Sequence, residues 1–319
     1  MGFFDVLFAR ARAPISRRFG AGVRATTEED IFDDEFQRKL ETLAVVSKRV
    51  FSGAMRAERR TRKTGSGVEF ADHRDYVPGD DFRYLDWNVW QRMGRLLIRL
   101  YEEEEDLSIY FIIDASSSMG FGDGEKLRHA KRLVAALAYV GLANLDRVTI
   151  VGASDAIDGR MPETRGKSRI FRVFRFLRDV RPSGETDLES AIKTFVAQHK
   201  RRGLAVLVSD LYDHKGFEKG INALRFAKFE PFVLHVVDDK ERTPELRGDV
   251  RVYDCETGDE REVTVTAKVL DRYAKAYDDW LATVGKYCAS KQVDYFRAEV
   301  TVPFDELILR VFRKGGFLR

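Results

Sequence analysis

Apolar segments alternate with amphipathic segments from residue 107 onward. Five runs rich in β-branched or aromatic residues predict buried strands, over 107–113, 147–153, 204–209, 231–237 and 293–298. Between them, apolar residues recur at helical spacing and predict helices over 125–143, 168–179, 187–200 and 216–227. Strands that are apolar throughout, alternating with such helices, are typical of a parallel sheet covered on both faces. The pattern therefore predicts an α/β fold with a doubly wound, mostly parallel sheet of the Rossmann-like type.

A second pattern interrupts this alternation near residue 250. Two short runs, Val250–Tyr253 and Glu262–Val265, lie on either side of the turn sequence Glu-Thr-Gly-Asp at 256–259. Such an arrangement predicts a β-hairpin inserted at about 249–266. A long helix over 267–290 is predicted to follow it.

The chain before residue 107 adds helical and β elements to this fold. Apolar residues recur at helical spacing from Phe36 to Val50 and predict a helix of about four turns. Leu96–Tyr101 predicts a strand. We divide the chain into a basic and acidic tail with a linker (1–35), an N-terminal region packed on the core (36–106) and the α/β domain (107–314).

Oxygen-bearing side chains follow two of the predicted strands and precede one helix. Asp114, Ser116 and Ser118 come directly after the first strand, Thr186 lies in the loop 182–188, and Asp210 ends the strand 204–209. Ligands bind at the carboxyl ends of strands in open α/β sheets, so three connections at one edge can converge. A set of carboxylate and hydroxyl oxygens suits a hard cation such as Mg²⁺. We expect a metal site there. Its ligands would leave part of the positive charge of the ion uncompensated, and this charge would attract a further carboxylate.

Composition narrows the functional classes. Lys and Arg total 55 and Asp and Glu total 52, for a net charge of +3, which argues against a dedicated nucleic-acid binder. Cys255 and Cys288 form no CxxC pair, so we expect neither a zinc site nor a disulfide framework. The low cysteine content leads us to expect a cytoplasmic location. No apolar run approaches the ~20 residues of a transmembrane segment.

The N-terminus combines apolar and basic residues. The run from Gly2 to Arg10 leads into Arg12, Arg17 and Arg18 without the long apolar region of a secretory signal. We interpret it as a tail or as a helix packed on the domain. A peripheral contact with an anionic membrane surface is the alternative.

The order Asp114-x-Ser116-x-Ser118, Thr186, Asp210 resembles the metal-ion-dependent adhesion site of von Willebrand factor A domains. The resemblance implies that the three hydroxyls bind the ion directly, while the two carboxylates act partly through water. It also implies an open coordination position for an acidic side chain of a partner protein. Mg²⁺ is the implied ion, with Mn²⁺ or Ca²⁺ as alternatives.

A second signature precedes this domain and resembles the Domain of Unknown Function 58 family. It consists of Gly67–Phe70, Arg74–Asp81, Arg83, Leu85–Trp87 and Arg92. Within it, we interpret Arg74 and Arg83 as bidentate partners of Asp80 or Asp86, with Tyr76 and Trp87 packed on the sheet.

The chain departs from the family pattern in two respects. Glu185 stands where members usually have Gly before the metal-site Thr, which alters the turn or adds a carboxylate near the ion. The transmembrane pair that many members carry at the N-terminus is absent, so we expect a soluble form.

Together the resemblances imply a non-catalytic, metal-dependent protein-binding module. Many family members are encoded beside MoxR-type AAA+ ATPases, so the implied partner is such an ATPase in a chaperone-like system. The alternative is a Mg²⁺-dependent hydrolase acting on phosphoesters, which requires a base near the ion. His214 is the candidate base, although a surface loop histidine is the simpler interpretation, and Asp213 is expected to be a solvated loop residue.

Overall fold

The computed structural model describes residues 10–11, 31–54, 60–63, 69–104, 107–121 and 124–314. The basic N-terminal segment that suggested a membrane contact lies outside the described residues, apart from Arg10 and Ala11. Among the helices that are described, none is both long enough and apolar enough to cross a membrane. The described residues fall into two compact units, one with those up to Val45 and from Leu107 to Lys314, the other with those from Val46 to Glu104.

The described residues form twelve strands and nine α-helices. The strands are β1 (Arg10–Ala11), β2 (Arg60–Lys63), β3 (Glu69–Asp75), β4 (Leu97–Glu104), β5 (Ser108–Asp114), β6 (Arg147–Ala153), β7 (Ile157–Arg165), β8 (Leu204–Ser209), β9 (Glu230–Val237), β10 (Gly248–Tyr253), β11 (Glu260–Val265) and β12 (Asp294–Glu299). The helices are α1 (Asp34–Ala54), α2 (Trp87–Met93), α3 (Glu125–Ala143), α4 (Ile170–Asp179), α5 (Leu188–Gln198), α6 (Phe217–Phe226), α7 (Asp239–Arg242), α8 (Ala267–Ser290) and α9 (Phe304–Lys314).

The larger unit is built on a six-stranded sheet with the order β12-β9-β8-β5-β6-β7. The first five of these strands run parallel, and β7 pairs antiparallel with β6 at the edge. After β5 the chain first adds β6 on one side and later β8 on the other, so the order reverses beside β5. The predicted doubly wound, mostly parallel α/β fold is thus confirmed.

Side chains of the central strand β5 alternate between two helical layers because successive residues of a strand face opposite sides. Tyr110 and Ile112 belong to the buried cluster that includes residues of α5, α6 and α8. On the other face, a Cβ added to Gly141 of α3 would approach Ile109 Cδ1 to 2.9 Å. Every residue of β5 is buried, which explains why the strand is apolar between Ser108 and Asp114.

The start of α1 and the C-terminal helix α9 belong to the larger unit and carry aromatic contacts. Phe32 stacks on Phe174 of α4 with ring centroids 4.6 Å apart, and Phe36 lies at the same centroid distance from Phe304 of α9. Helix α9 also packs against α3. Its buried residues recur at helical spacing, at Phe304, Leu307, Ile308, Val311 and Phe312.

The predicted hairpin is confirmed by the antiparallel pairing of β10 with β11, from Gly248 opposite Val265 to Tyr253 opposite Glu260. Strand β1 joins the outer side of β10, which completes a small three-stranded sheet. The connection 254–259 is the hairpin loop. It begins at Asp254 and turns at Gly258, whose φ of 76° is accessible to glycine at little cost.

The smaller unit contains the three-stranded antiparallel sheet β2-β4-β3 and the helix α2. The expected bidentate pair joins Arg74 to Asp80 through contacts of 2.6 and 2.8 Å. Arg83 pairs instead with its neighbour Asp81, because both lie in one short turn.

One further expectation for this unit needs correction. Asp86, the alternative acidic partner, accepts hydrogen bonds from the backbone N–H groups of Asn88 and Val89 and so caps α2, and its Oδ2 lies 2.9 Å from His73 Nε2 and 3.5 Å from Arg99 Nε. Trp87, expected to pack on the sheet, is 53% exposed. It stands at the first position of the capped helix, where its ring meets that of Trp90 with centroids 6.0 Å apart.

Candidate metal site

Two buried carboxylates lie at the carboxyl ends of neighbouring parallel strands. Asp114 ends β5 and Asp210 follows β8, and both are 1% exposed. Asp114 accepts hydrogen bonds at Oδ1 from the backbone N–H of Ser116 (2.9 Å) and at Oδ2 from the hydroxyl of Ser209 (2.5 Å). The parallel pairing of β5 with β8 therefore brings the two predicted carboxylates to one edge of the sheet.

The two predicted serines face the same edge from the turn after β5. The hydroxyls of Ser116 and Ser118 lie 2.9 Å apart, and both residues are buried. Ser118 Oγ donates to the Asp210 carboxylate, at 3.0 Å from Oδ2 and 3.2 Å from Oδ1. The serines thus connect the ends of the two strands.

The loop that carries Thr186 is hydrogen-bonded to this turn. Ser183 N–H donates to the carbonyl of Ala115 at 2.7 Å, and the N–H and hydroxyl of Ser117 donate to the carbonyl of Gly184 at 3.1 and 2.8 Å. A Cβ at Gly120 would lie 2.5 Å from Pro182, so glycine is needed where the two loops meet. These contacts bring the loop that carries Thr186 next to the turn after β5. Thr186 itself is buried, with only 4% of its surface exposed.

Glu256 of the hairpin loop reaches Thr186, a contact that the sequence did not lead us to expect. Its Oε1 accepts from the Thr186 hydroxyl at 2.7 Å and its Oε2 from the Thr186 N–H at 3.0 Å. Ser118 also hydrogen-bonds to this carboxylate, and Asp210 interacts with it electrostatically. Burial raises the pKa of Glu256 above its usual value. In the sequence, Glu256 is only one acidic residue of a turn.

A buried ammonium is the second unexpected component. Lys126, in the first turn of α3, forms ion pairs with Asp210 Oδ2 and, at 2.8 Å, with Glu241 Oε1. A lysine at the beginning of a helix gives no signal of a buried ion pair.

Burial and the neighbouring Asp210 raise the pKa of Asp114 to about 7. Two carboxylates close together in a site shielded from water repel one another, and a bound cation relieves this repulsion. The Lys126 ammonium offsets part of this negative charge. Two more carboxylates add to it, because Glu241 pairs with Lys126 and Glu256 interacts with Asp210.

The donor set fits a hard divalent cation. It contains only oxygen atoms, from two carboxylates and three hydroxyls. Two carboxylates alone would leave an ion here with too few ligands, so the hydroxyl oxygens would have to complete its coordination. Asp114, Ser116, Ser118, Thr186 and Asp210 would hold the ion.

Three further residues discussed in the sequence analysis, Glu185, Asp213 and His214, lie on loops around these ligands. Glu185 is exposed on the loop before α5. Asp213 is buried rather than solvated, because its carboxylate accepts from the N–H groups of Leu188 (2.9 Å) and Lys215 (2.7 Å). His214 Nε2 lies 3.6 Å from Asp254 Oδ2, at the start of the hairpin loop.

A family model described as "Protein of unknown function DUF58" matches residues 72–281, about two thirds of the chain. The chain belongs to the DUF58 family. Its relatives include an uncharacterized protein from Mycobacterium tuberculosis and one from Mycobacterium bovis, each 28% identical over 253 residues. Each alignment covers 77% of this chain and 79% of the relative.

Solved structures similar to this DUF58 chain include the conserved hypothetical protein BatB from Bacteroides thetaiotaomicron. It is 17% identical, with a TM-score of 0.40, and the match covers 66% of this chain and all of BatB. The von Willebrand factor domain of the pilus tip protein Mfa5 from Porphyromonas gingivalis is 18% identical, with a TM-score of 0.27. That match covers 32% of this chain and 36% of the Mfa5 chain.

Proposed function

We propose that this DUF58 protein is a non-catalytic module that binds another protein through a divalent cation. The observation that carries the proposal is the convergence of Asp114, Ser116 and Ser118 with Asp210 and the Thr186 loop at one edge of the sheet. The donor chemistry suits Mg²⁺, and Mn²⁺ or Ca²⁺ would fit the same oxygens. The bound ion would supply a Lewis-acidic position for a carboxylate.

Each predicted ligand has a distinct task in this proposal. Ser116, Ser118 and Thr186 offer neutral hydroxyl oxygens, which leave much of the charge of the ion uncompensated. Asp114 and Asp210 supply the negative charge, and both are oriented by hydrogen bonds from serine hydroxyls. An ion held in this way favours an additional anionic ligand, such as an Asp or Glu side chain of the partner.

The proposed partner is a MoxR-type AAA+ ATPase, and the protein would act as its adaptor in a chaperone-like system. This part of the proposal is based on the family resemblance. The phosphoesterase alternative requires a base near the ion, and its candidate, His214, lies 3.6 Å from Asp254 at the start of the hairpin loop. The buried His235 contacts the backbone carbonyl of Asp210 and the hydroxyl of Tyr295, an arrangement that suits a structural role.

Capture of the purified ATPase by the immobilised full-length protein tests the proposal. We expect capture in Mg²⁺ buffer, loss in EDTA and recovery when Mg²⁺ is restored. Thr186→Ala should abolish capture, whereas Glu185→Gln, the exposed neighbour, should leave it intact. Equal capture with Mg²⁺ and with EDTA would refute metal dependence, and no capture under any condition would refute the ATPase as the partner.

A further inference from the structure

We propose that Glu256 is an in-chain ligand of the metal and occupies the coordination position that a partner's carboxylate would otherwise take. The inference rests on the proposed function, because it assumes a cation at this site. It adds a ligand that neither the motif nor the family resemblance includes. It also makes the hairpin an intramolecular competitor of the partner.

The contacts of Glu256 are directed at the predicted ligands. Both carboxylate oxygens accept hydrogen bonds from Thr186, one from the hydroxyl and one from the backbone N–H. A hydroxyl that donates its proton to a carboxylate keeps its oxygen lone pairs available for a cation. Thr186 and Glu256 are therefore arranged so that one ion can contact both oxygens.

The charges around Glu256 also favour a cation. Its carboxylate is half-buried, interacts with Asp210 and shares the Ser118 hydroxyl with the Asp210 carboxylate as a hydrogen-bond partner. Like charges in a partly desolvated space are unfavourable unless a positive charge lies between them. Lys126 pairs with Asp210 and Glu241, so its ammonium is directed to other carboxylates.

The hairpin loop is organised to present this side chain. Asp254 Oδ1 accepts from the N–H groups of Glu256 (2.8 Å) and Thr257 (3.1 Å), which fixes the turn around Glu256. The backbone closes the loop through Asp254 N–H to Asp259 carbonyl (2.8 Å) and Gly258 N–H to Asp254 carbonyl (3.0 Å). A loop with this many internal hydrogen bonds holds Glu256 in place with little entropic cost on binding the ion.

The consequence is a built-in threshold for partner binding. Because Glu256 is part of the same chain, its carboxylate competes at an effective concentration on the order of millimolar. A free carboxylate must therefore be present at a higher concentration, or the molecule that carries it must make additional contacts. A protein partner that also holds the hairpin away from Thr186 would meet this requirement. An isolated small carboxylate would not.

Mn²⁺ binding by the full-length protein, followed by water proton relaxation, tests the assignment because the relaxation reports how many waters the bound ion keeps. Glu256→Ala should bind Mn²⁺ about tenfold or more weakly than wild type and keep an additional water on the ion. Glu256→Gln, which preserves the shape of the side chain, should also weaken binding. Glu262→Ala, on the exposed strand of the same hairpin, should behave like wild type.

Acetate provides a second comparison. It should displace the additional water in Glu256→Ala and have no effect on the wild-type complex. If Mn²⁺ affinity and hydration are the same in wild type and Glu256→Ala, the assignment is overturned while the metal site stands. Tighter binding by the variant would also overturn it, since Glu256 would then block the ion. If neither protein binds Mn²⁺, the metal site fails together with this inference.

Discussion

Lys126 and Asp210 form an ion pair inside the protein, with side chains only 2% and 1% exposed. Such a pair beside a proposed cation site means that the Lys126 ammonium already neutralises the charge of one proposed ligand. Glu241 contacts the same ammonium at 2.8 Å, so the lysine bridges two carboxylates. The proposed site would therefore combine a fixed cation with a place for an exchangeable one.

Replacement of Lys126 by Met should lower the free energy of unfolding by about 3–5 kcal/mol in metal-free buffer, because Asp210 is left as a buried, unpaired charge. Urea unfolding measures this loss. Mg²⁺ should restore more stability to Lys126→Met than it adds to wild type, since the ion supplies the missing positive charge.

Lys193→Met is the matched control for this change. Lys193 is exposed and pairs with Glu189 one helical turn away, so its loss should cost no more than about 0.5 kcal/mol. A Lys126→Met protein that is as stable as wild type without metal would contradict the role assigned to the buried pair.

His129 should make the protein less stable in acid. Burial, followed by the nearby charge of Arg132, lowers the pKa of His129 from 6.5 to about 4 in the folded state. Between these values the unfolded chain binds a proton that the folded chain does not, so stability is complete above pH 6.5 and falls as the pH drops toward 4.

His129→Leu should show a weaker decline in Tm over this range than wild type. The ring is suited to replacement by an apolar side chain because, within the described residues, its Nε2 has no hydrogen-bond partner. Identical profiles of Tm against pH for the two proteins would show that another group controls acid stability.

Gly203, just before β8, should not tolerate a side chain. A Cβ there would lie 2.1 Å from the backbone carbonyl oxygen of Ser108, at the start of β5. Gly203→Ala must push the two central strands apart and should cost about 1–3 kcal/mol in urea unfolding.

Gly285→Ala, in the middle of α8, provides the opposite case. Its added Cβ would make only an ordinary contact of 3.7 Å with the Tyr295 ring. This substitution should stabilise the protein by up to about 1 kcal/mol, because alanine restricts the unfolded chain and favours the helix. If Gly203→Ala were equally stabilising, the close approach of β5 and β8 would be wrong.

The buried elements of the larger unit could be predicted from the sequence because their burial leaves a strong pattern. Helices 125–143 and 267–290 and the strand 147–153 were predicted with the bounds that the structure has. The edge strand β7 was missed, since most of its residues are exposed or half-buried and many are charged. Helix α9 was also missed, although its apolar residues recur at helical spacing.

The proximity of the proposed ligands could be predicted because each follows or precedes a recognisable element, and strand order then brings these residues together. Lys126 and Glu256 could not be found in this way. Glu256 reaches Thr186 only through the packing of a hairpin that lies 70 residues further along the chain. Asp213 was misjudged for a related reason, because its carboxylate accepts a hydrogen bond from Leu188 at the start of α5, 25 residues away in the sequence.

Isothermal titration with Mg²⁺ and Mn²⁺ tests the central claim most directly, with wild type, Asp114→Ala and the exposed-site control Glu185→Gln measured side by side. We predict saturable binding at one site in the wild type and in Glu185→Gln, and no binding in Asp114→Ala. Equal binding by wild type and Asp114→Ala, or no binding by the wild type, would contradict a metal site at the ends of β5 and β8.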